Sequence, residues 1–242
     1  MTDVVLSIGA IAGRTGRGVR IAVVDSGVHA AHPHVQGTAG GIAIGDDGPT
    51  TGDAVDRIGH GTAVAAAIRE KAPDASLFAV KVFDRSLVTT ASTLAAAIRW
   101  AAARPVELIN LSLGTANRDH EGVLAAAVAD AGARGAIVIA AAPDRETTWL
   151  PGALPGVVAV EVDWTCARDA CAVRVSPDGR VRVSASGFPR PIPGVPPERN
   201  LKGASFAVAN ATGLIALALE GRPAASIGDL VERVRALCSR TG

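Results

Sequence analysis

Short apolar runs that stop at polar or glycine residues alternate along this chain with longer stretches whose apolar positions recur at helical spacing. Residues 19–24 form a β-branched run closed by Asp25-Ser26-Gly27, the pattern of a strand buried on both faces. The same pattern predicts strands at 76–83, 106–111, 136–141 and 157–162. Between them, the alanine-rich stretch 63–69 and the stretches 93–103 and 121–133 predict helices. Such alternation predicts an α/β fold, a three-layer sandwich whose mainly parallel central sheet carries helices on both faces, with right-handed crossovers. Residues 171–176 and 180–184, joined through Asp178-Gly179, predict a β-hairpin. Two helices close the chain, one in the apolar run that ends at Leu219 and an amphipathic one over 227–237. Residues 37–57 are rich in Gly, Asp and Thr and read as a loop holding at most a short strand.

Composition narrows the class. The 242 residues are 48% hydrophobic, enough for one core, and no Pro/Ser linker or charge block divides them, so a single domain over 1–242 is expected. A net charge of +1 without a Lys/Arg cluster argues against nucleic acid or an anionic membrane as partner. The first twelve residues lack the basic start and apolar run of an export signal, and no apolar span reaches membrane length, so a cytoplasmic location is expected. Cys166, Cys171 and Cys238 fit neither a disulfide framework nor a zinc pattern. Cys166 and Cys171 are spaced to bridge a hairpin, but free thiols suit a cytoplasmic protein better. His29, His32 and His34 have no carboxylate or cysteine to complete a ligand set, so they read as surface loop, with neither metal nor cofactor expected.

Candidate chemistry sits at the predicted element ends. In open α/β sheets, sites form at the carboxyl ends of strands, where Asp25 stands, although a turn residue before Gly27 would look the same. His60 opens a predicted helix in Gly59-His60-Gly61-Thr62, and Ser205 lies in Lys202-Gly203-Ala204-Ser205-Phe206-Ala207, where a glycine turn enters a helix. A hydroxyl there feels the positive end of the helix dipole, although serine is also a favoured cap. The chain order Asp, His, Ser and the three motifs resemble the subtilisin-like (subtilase) serine proteases from residue 19 to about residue 219.

That resemblance implies a serine endopeptidase with Ser205 as nucleophile, His60 as general base and then acid, and Asp25 orienting the imidazole. It also implies an extended peptide substrate held between Leu87, Val88, Thr89 on one side and Ser112, Leu113, Gly114 on the other, with Ala141 and Ala142 also in contact with substrate and, by position, Arg145 or Glu146 near the base of the pocket before the scissile bond. Gly114 is expected to let the peptide approach closely. Arg145 would favour an acidic substrate side chain.

The chain departs from the family pattern in four places. Ala63 replaces a histidine after His-Gly-Thr, and Glu70 to Asp74 join helix and strand directly, so the family's calcium loop is expected to be absent. Ala204 replaces the threonine that commonly precedes the nucleophile. Where the family places Gly-Asn for the oxyanion, the chain reads Pro143-Asp144, and a carboxylate there opposes the charge that develops. Either Asp144 is protonated and donates, or another donor such as Asn117 serves in a reshaped loop, or turnover is slow. Maturation of one peptide precursor fits a slow, selective enzyme. A peptide-binding pseudoprotease and acyl transfer that closes a peptide ring are the alternatives.

Overall fold

Among the described residues ten strands build one sheet in the order β1-β9-β10-β8-β7-β6-β2-β5-β3-β4, with residues 4–7 already at its edge. The computed structural model describes residues 4–46, 48–49, 52–196, 199–222, 224 and 226–239. Asp47, Thr50 and Thr51 of the predicted 37–57 loop lie outside them. The strands are β1 (Val4–Ser7), β2 (Arg20–Asp25), β3 (Gly40–Gly45), β4 (Gly48–Pro49), β5 (Ser76–Lys81), β6 (Leu108–Leu111), β7 (Ile137–Ala141), β8 (Val157–Val162), β9 (Ala170–Val175) and β10 (Val181–Ala185). From β3 through β5, β2, β6, β7 and β8 to β10 every pairing is parallel. The predicted hairpin is β9 with β10, and β1 adds antiparallel to β9 at the edge.

Among the described residues five α-helices complete the layers: α1 (His60–Lys71), α2 (Ala91–Ala102), α3 (Glu121–Ala133), α4 (Ala204–Leu219) and α5 (Ile227–Cys238). Successive strand residues point to opposite faces, so one run feeds two cores. Ile21 and Val23 pack with α1, α4 and α5, while Ala22 and Val24 pack with α2 and α3. Small side chains on α1, from Ala63 through Ala67, let it lie close to α4. Every residue of α4 from Phe206 to Leu219 is buried, as expected of a helix apolar on all sides. No helix of the described residues is long and apolar enough to cross a membrane.

This topology assembles the site. From β2 the chain passes to β3 and β4 at the far edge, comes back through α1 to β5 beside β2, then crosses to β6 by way of α2. Asp25 therefore ends a central strand, beside Lys81 of β5 and next to the loop that leaves β6 at Ser112.

Candidate active site

Asp25 is fully buried at the end of β2, and its Oδ1 lies 2.7 Å from His60 Nδ1. Ser26 N–H donates to the same oxygen at 2.7 Å. An ionised carboxylate only accepts, so it holds the imidazole proton on Nδ1 and leaves the Nε2 lone pair for use as a base. Gly61 makes this contact possible: a Cβ there would sit 2.2 Å from the Gly27 carbonyl oxygen and 3.1 Å from Asp25 Cβ. Only glycine lets the start of α1 rest against the end of β2. Burial pulls the His60 pKa down, but the hydrogen bond and charge of Asp25, with the charge of Asp56, outweigh it and raise the value above 6.5.

Ser205 lies in the first turn of α4, where its N–H has no carbonyl four residues earlier within the helix to bond. The ring of the next residue, Phe206, is 5.9 Å from the His60 ring between centroids, which brings the serine turn beside the imidazole. The Ser205 hydroxyl donates at 3.1 Å to the Ser112 carbonyl, and no hydrogen bond joins it to His60. Ser112 is itself anchored: Asn110 Nδ2 donates to its Oγ at 2.9 Å, and Thr212 Oγ1 of α4 donates to Asn110 Oδ1 at 3.0 Å. Resting-state catalytic hydrogen bonds are often unmade until substrate arrives.

A cleft of about 990 Å³ opens beside Ser205 and gathers most of the predicted pocket residues: Ser112, Leu113, Gly114, Ala141, Ala142, Asp144 and Arg145. Within it, Asp144 is folded into its own turn. Its Oδ1 accepts from the N–H groups of Glu146 (2.9 Å) and Thr147 (2.7 Å), and its Oδ2 accepts from Trp149 Nε1 at 3.0 Å. The indole donor foremost, then the two backbone donors, hold this exposed carboxyl below the usual carboxylate range. The expectation of a protonated Asp144 is therefore corrected: solvent exposure removes the desolvation it required. Asn117 does not line the cleft: its Oδ1 accepts from Asp119 N–H at 3.0 Å as the cap of a short turn, and its Nδ2 faces His120 Nε2 at 3.5 Å.

The predicted edge segment divides. Thr89 shares a depression of about 450 Å³ with Leu113 and Gly114, while Val88 and Thr89 border another, of about 480 Å³, with β3. Leu87 stands out on the surface, 54% exposed. Gly114 also meets a constraint from within the fold. A Cβ there would meet the Leu150 carbonyl oxygen at 2.7 Å, so the glycine admits a neighbouring loop, which Thr115 and Leu150 fasten with two backbone hydrogen bonds of 2.9 Å. Cys166 and Cys171 are free thiols, and Cys238 Sγ donates to the Val5 carbonyl at 3.1 Å. Among the described residues no group of three or more His, Cys, Asp or Glu side chains is placed to share a metal ion.

Two residues of the site were not singled out in the sequence. Trp149 lines the cleft and clamps Asp144, and an indole five residues after that aspartate was the available signal. Asp56, four residues before His60, bonds to the main chain on both sides of it.

Known proteins resemble this chain over most of its length. A sequence profile described as the subtilase family matches residues 16–241. A thermostable alkaline protease of Halalkalibacterium halodurans is 35% identical over 156 residues, 60% of this chain and 41% of that protein. Subtilisin E of Bacillus subtilis is 32% identical over 164 residues, 61% of this chain and 42% of that one. The matched segments thus span less than half the length of these relatives. Among solved structures, sphericase superposes with a TM-score of 0.68 at 25% identity, covering 96% of this chain and 88% of that one. A lanthipeptide protease gives 0.65 at 20% identity, covering 90% and 81%, and shares the fold. Read with the profile match along nearly the whole sequence, these similarities make the chain a member of the subtilase family.

Proposed function

We propose that residues 1–242 form one serine endopeptidase domain that cleaves extended peptides through Asp25, His60 and Ser205. The observation that carries this reading is the 2.7 Å contact between a fully buried carboxylate and His60 Nδ1, beside a helix-end serine on the wall of a cleft. As substrate enters, the Ser205 hydroxyl turns from the Ser112 carbonyl to His60 Nε2, which takes its proton while Oγ attacks the scissile carbonyl carbon. The Ser205 N–H donates to the oxyanion. His60 then returns the proton to the leaving amine, and water releases the acyl group by the same steps. Asp25 stays ionised throughout and balances the imidazolium.

Turnover is slow in this reading, because Asp144 contributes a carboxylate where a donor is worth about 3 to 4 kcal/mol in the transition state. Slow turnover suits maturation of a single peptide precursor, and the free thiols suit a cytoplasmic setting. The bond from Ser205 to Ser112 favours one alternative, a domain that binds peptide without cutting it. Active-site labelling separates the two. A fluorophosphonate should add its mass to Ser205 in the folded protein and not after Ser205→Ala. A folded wild-type protein left unlabelled, with peptide bound but no product by mass spectrometry, would establish the binding domain instead.

A further inference from the structure

Asp56 has more hydrogen bonds than a turn residue needs, and they converge on His60 from both sides. Its Oδ1 accepts from Ile58 N–H (2.9 Å), Gly59 N–H (2.8 Å) and Ser26 Oγ (2.9 Å). Its Oδ2 accepts from Thr62 N–H (2.9 Å) and Thr62 Oγ1 (2.6 Å). Ser26 Oγ in turn accepts from Gly61 N–H at 2.9 Å. Two amides at the start of α1, those of Gly61 and Thr62, are thus satisfied by one serine and one carboxylate from the preceding turn, since Gly59 at the cap has no side chain to do it. A cap alone would need one acceptor for Thr62. The bond to Ser26 does something else: Ser26 follows Asp25 and donates its N–H to Asp25 Oδ1, so the carboxylate ties the His60 loop to the strand end that orients His60.

We propose that Asp56 is a positioning residue for the general base, fixing the main chain before and after His60 and joining it through Ser26 to Asp25. The proposal rests on the protease reading for its kinetic consequences and on geometry alone for the rest. The charged groups acting on His60 are Asp25 from β2 and Asp56 from this turn, while α4 presents the Phe206 ring. Burial works against ionisation of Asp56, but the donors from Thr62, Gly59 and Ile58 outweigh it and keep its pKa low, so its charge persists wherever His60 titrates.

Two variants separate charge from geometry. Asp56→Asn removes the charge and one of the two acceptor oxygens, whereas Ser26→Ala removes the bridge together with the acceptor for Gly61 N–H and leaves the charge in place. In protein labelled with ¹⁵N-histidine, nuclear magnetic resonance follows His60 titration without any turnover. Asp56→Asn should move that titration to lower pH and lower kcat by about tenfold or more, with KM changed little. Ser26→Ala should lower kcat while leaving the titration in place. Folded Asp56→Asn protein that titrates like the wild type and keeps its kcat overturns the proposal, as does melting at lower temperature with kcat intact below the transition. If Asp56→Asn does not fold, Ser26→Ala with unchanged kcat overturns it alone. Wild-type protein that fluorophosphonate cannot label would remove the protease reading, and the titration arm would still test the tie between Asp56 and His60.

Discussion

The two halves of the site are built differently. On one side, Asp25 and His60 meet under full burial of the carboxylate, with Gly61, Ser26 and Asp56 tying the start of α1 to the end of β2. On the other, Asp144 lies exposed in a turn that satisfies itself, its oxygens given to Glu146, Thr147 and Trp149. The His60 side is tied together around the imidazole, while the Asp144 side is closed on its own loop. In the proposed mechanism, the parts that make a nucleophile and the part that sets how fast the intermediate forms can therefore vary nearly independently.

The largest test of that contrast is Asp25→Asn, which should lower kcat about 10⁴-fold by forcing the wrong imidazole tautomer, measured on any cleaved peptide. Gly61→Ala comes next. Its Cβ would fall 2.2 Å from the Gly27 carbonyl, so the start of α1 must move, costing about 1 to 3 kcal/mol of stability and up to about 10² in kcat. Thermal melting and single-turnover rates measure the two losses, and wild-type values for both would contradict the packing described.

On the oxyanion side the sign reverses. An amide cannot accept at both heavy atoms, so Asp144→Asn must release either Trp149 or the two backbone donors. The freed N–H then becomes available to the cleft, and kcat at neutral pH should rise, by no more than about 10². A rate that stays level or falls would show that Asp144 does not limit turnover. The smallest effect is in pH. His60 is raised above 6.5 chiefly because Asp25 outweighs burial, so the acid limb of kcat/KM should lie above 6.5. The sign for stability is opposite: the contribution of protonated His60 is fully present below its unfolded pKa and is lost as pH rises through the folded value. A limb below 6.5 would mean that burial, not Asp25, decides the titration.

Much of this was legible in the chain. α3 spans Glu121–Ala133 and β8 Val157–Val162, the ranges predicted from pattern, because long periodic or β-branched runs carry their own signal. β1 had no such signal, since four residues at a sheet edge are held by their partner β9 rather than by propensity. Asp25, His60 and Ser205 stood out through the motifs around them. Asp56 did not, because an aspartate in a loop of Gly, Asp and Thr resembles any turn residue until β2 and α1 are side by side. The actual neighbour of Gly114 was hidden for the same reason, lying 36 positions away at Leu150.

The serine helix leads to one more consequence. Since everything in α4 from Phe206 onward is enclosed, its amides can exchange with deuterium only when the domain opens as a whole. Heat should therefore silence Ser205 at the temperature where those amides lose protection, with no milder, locally loosened form in between.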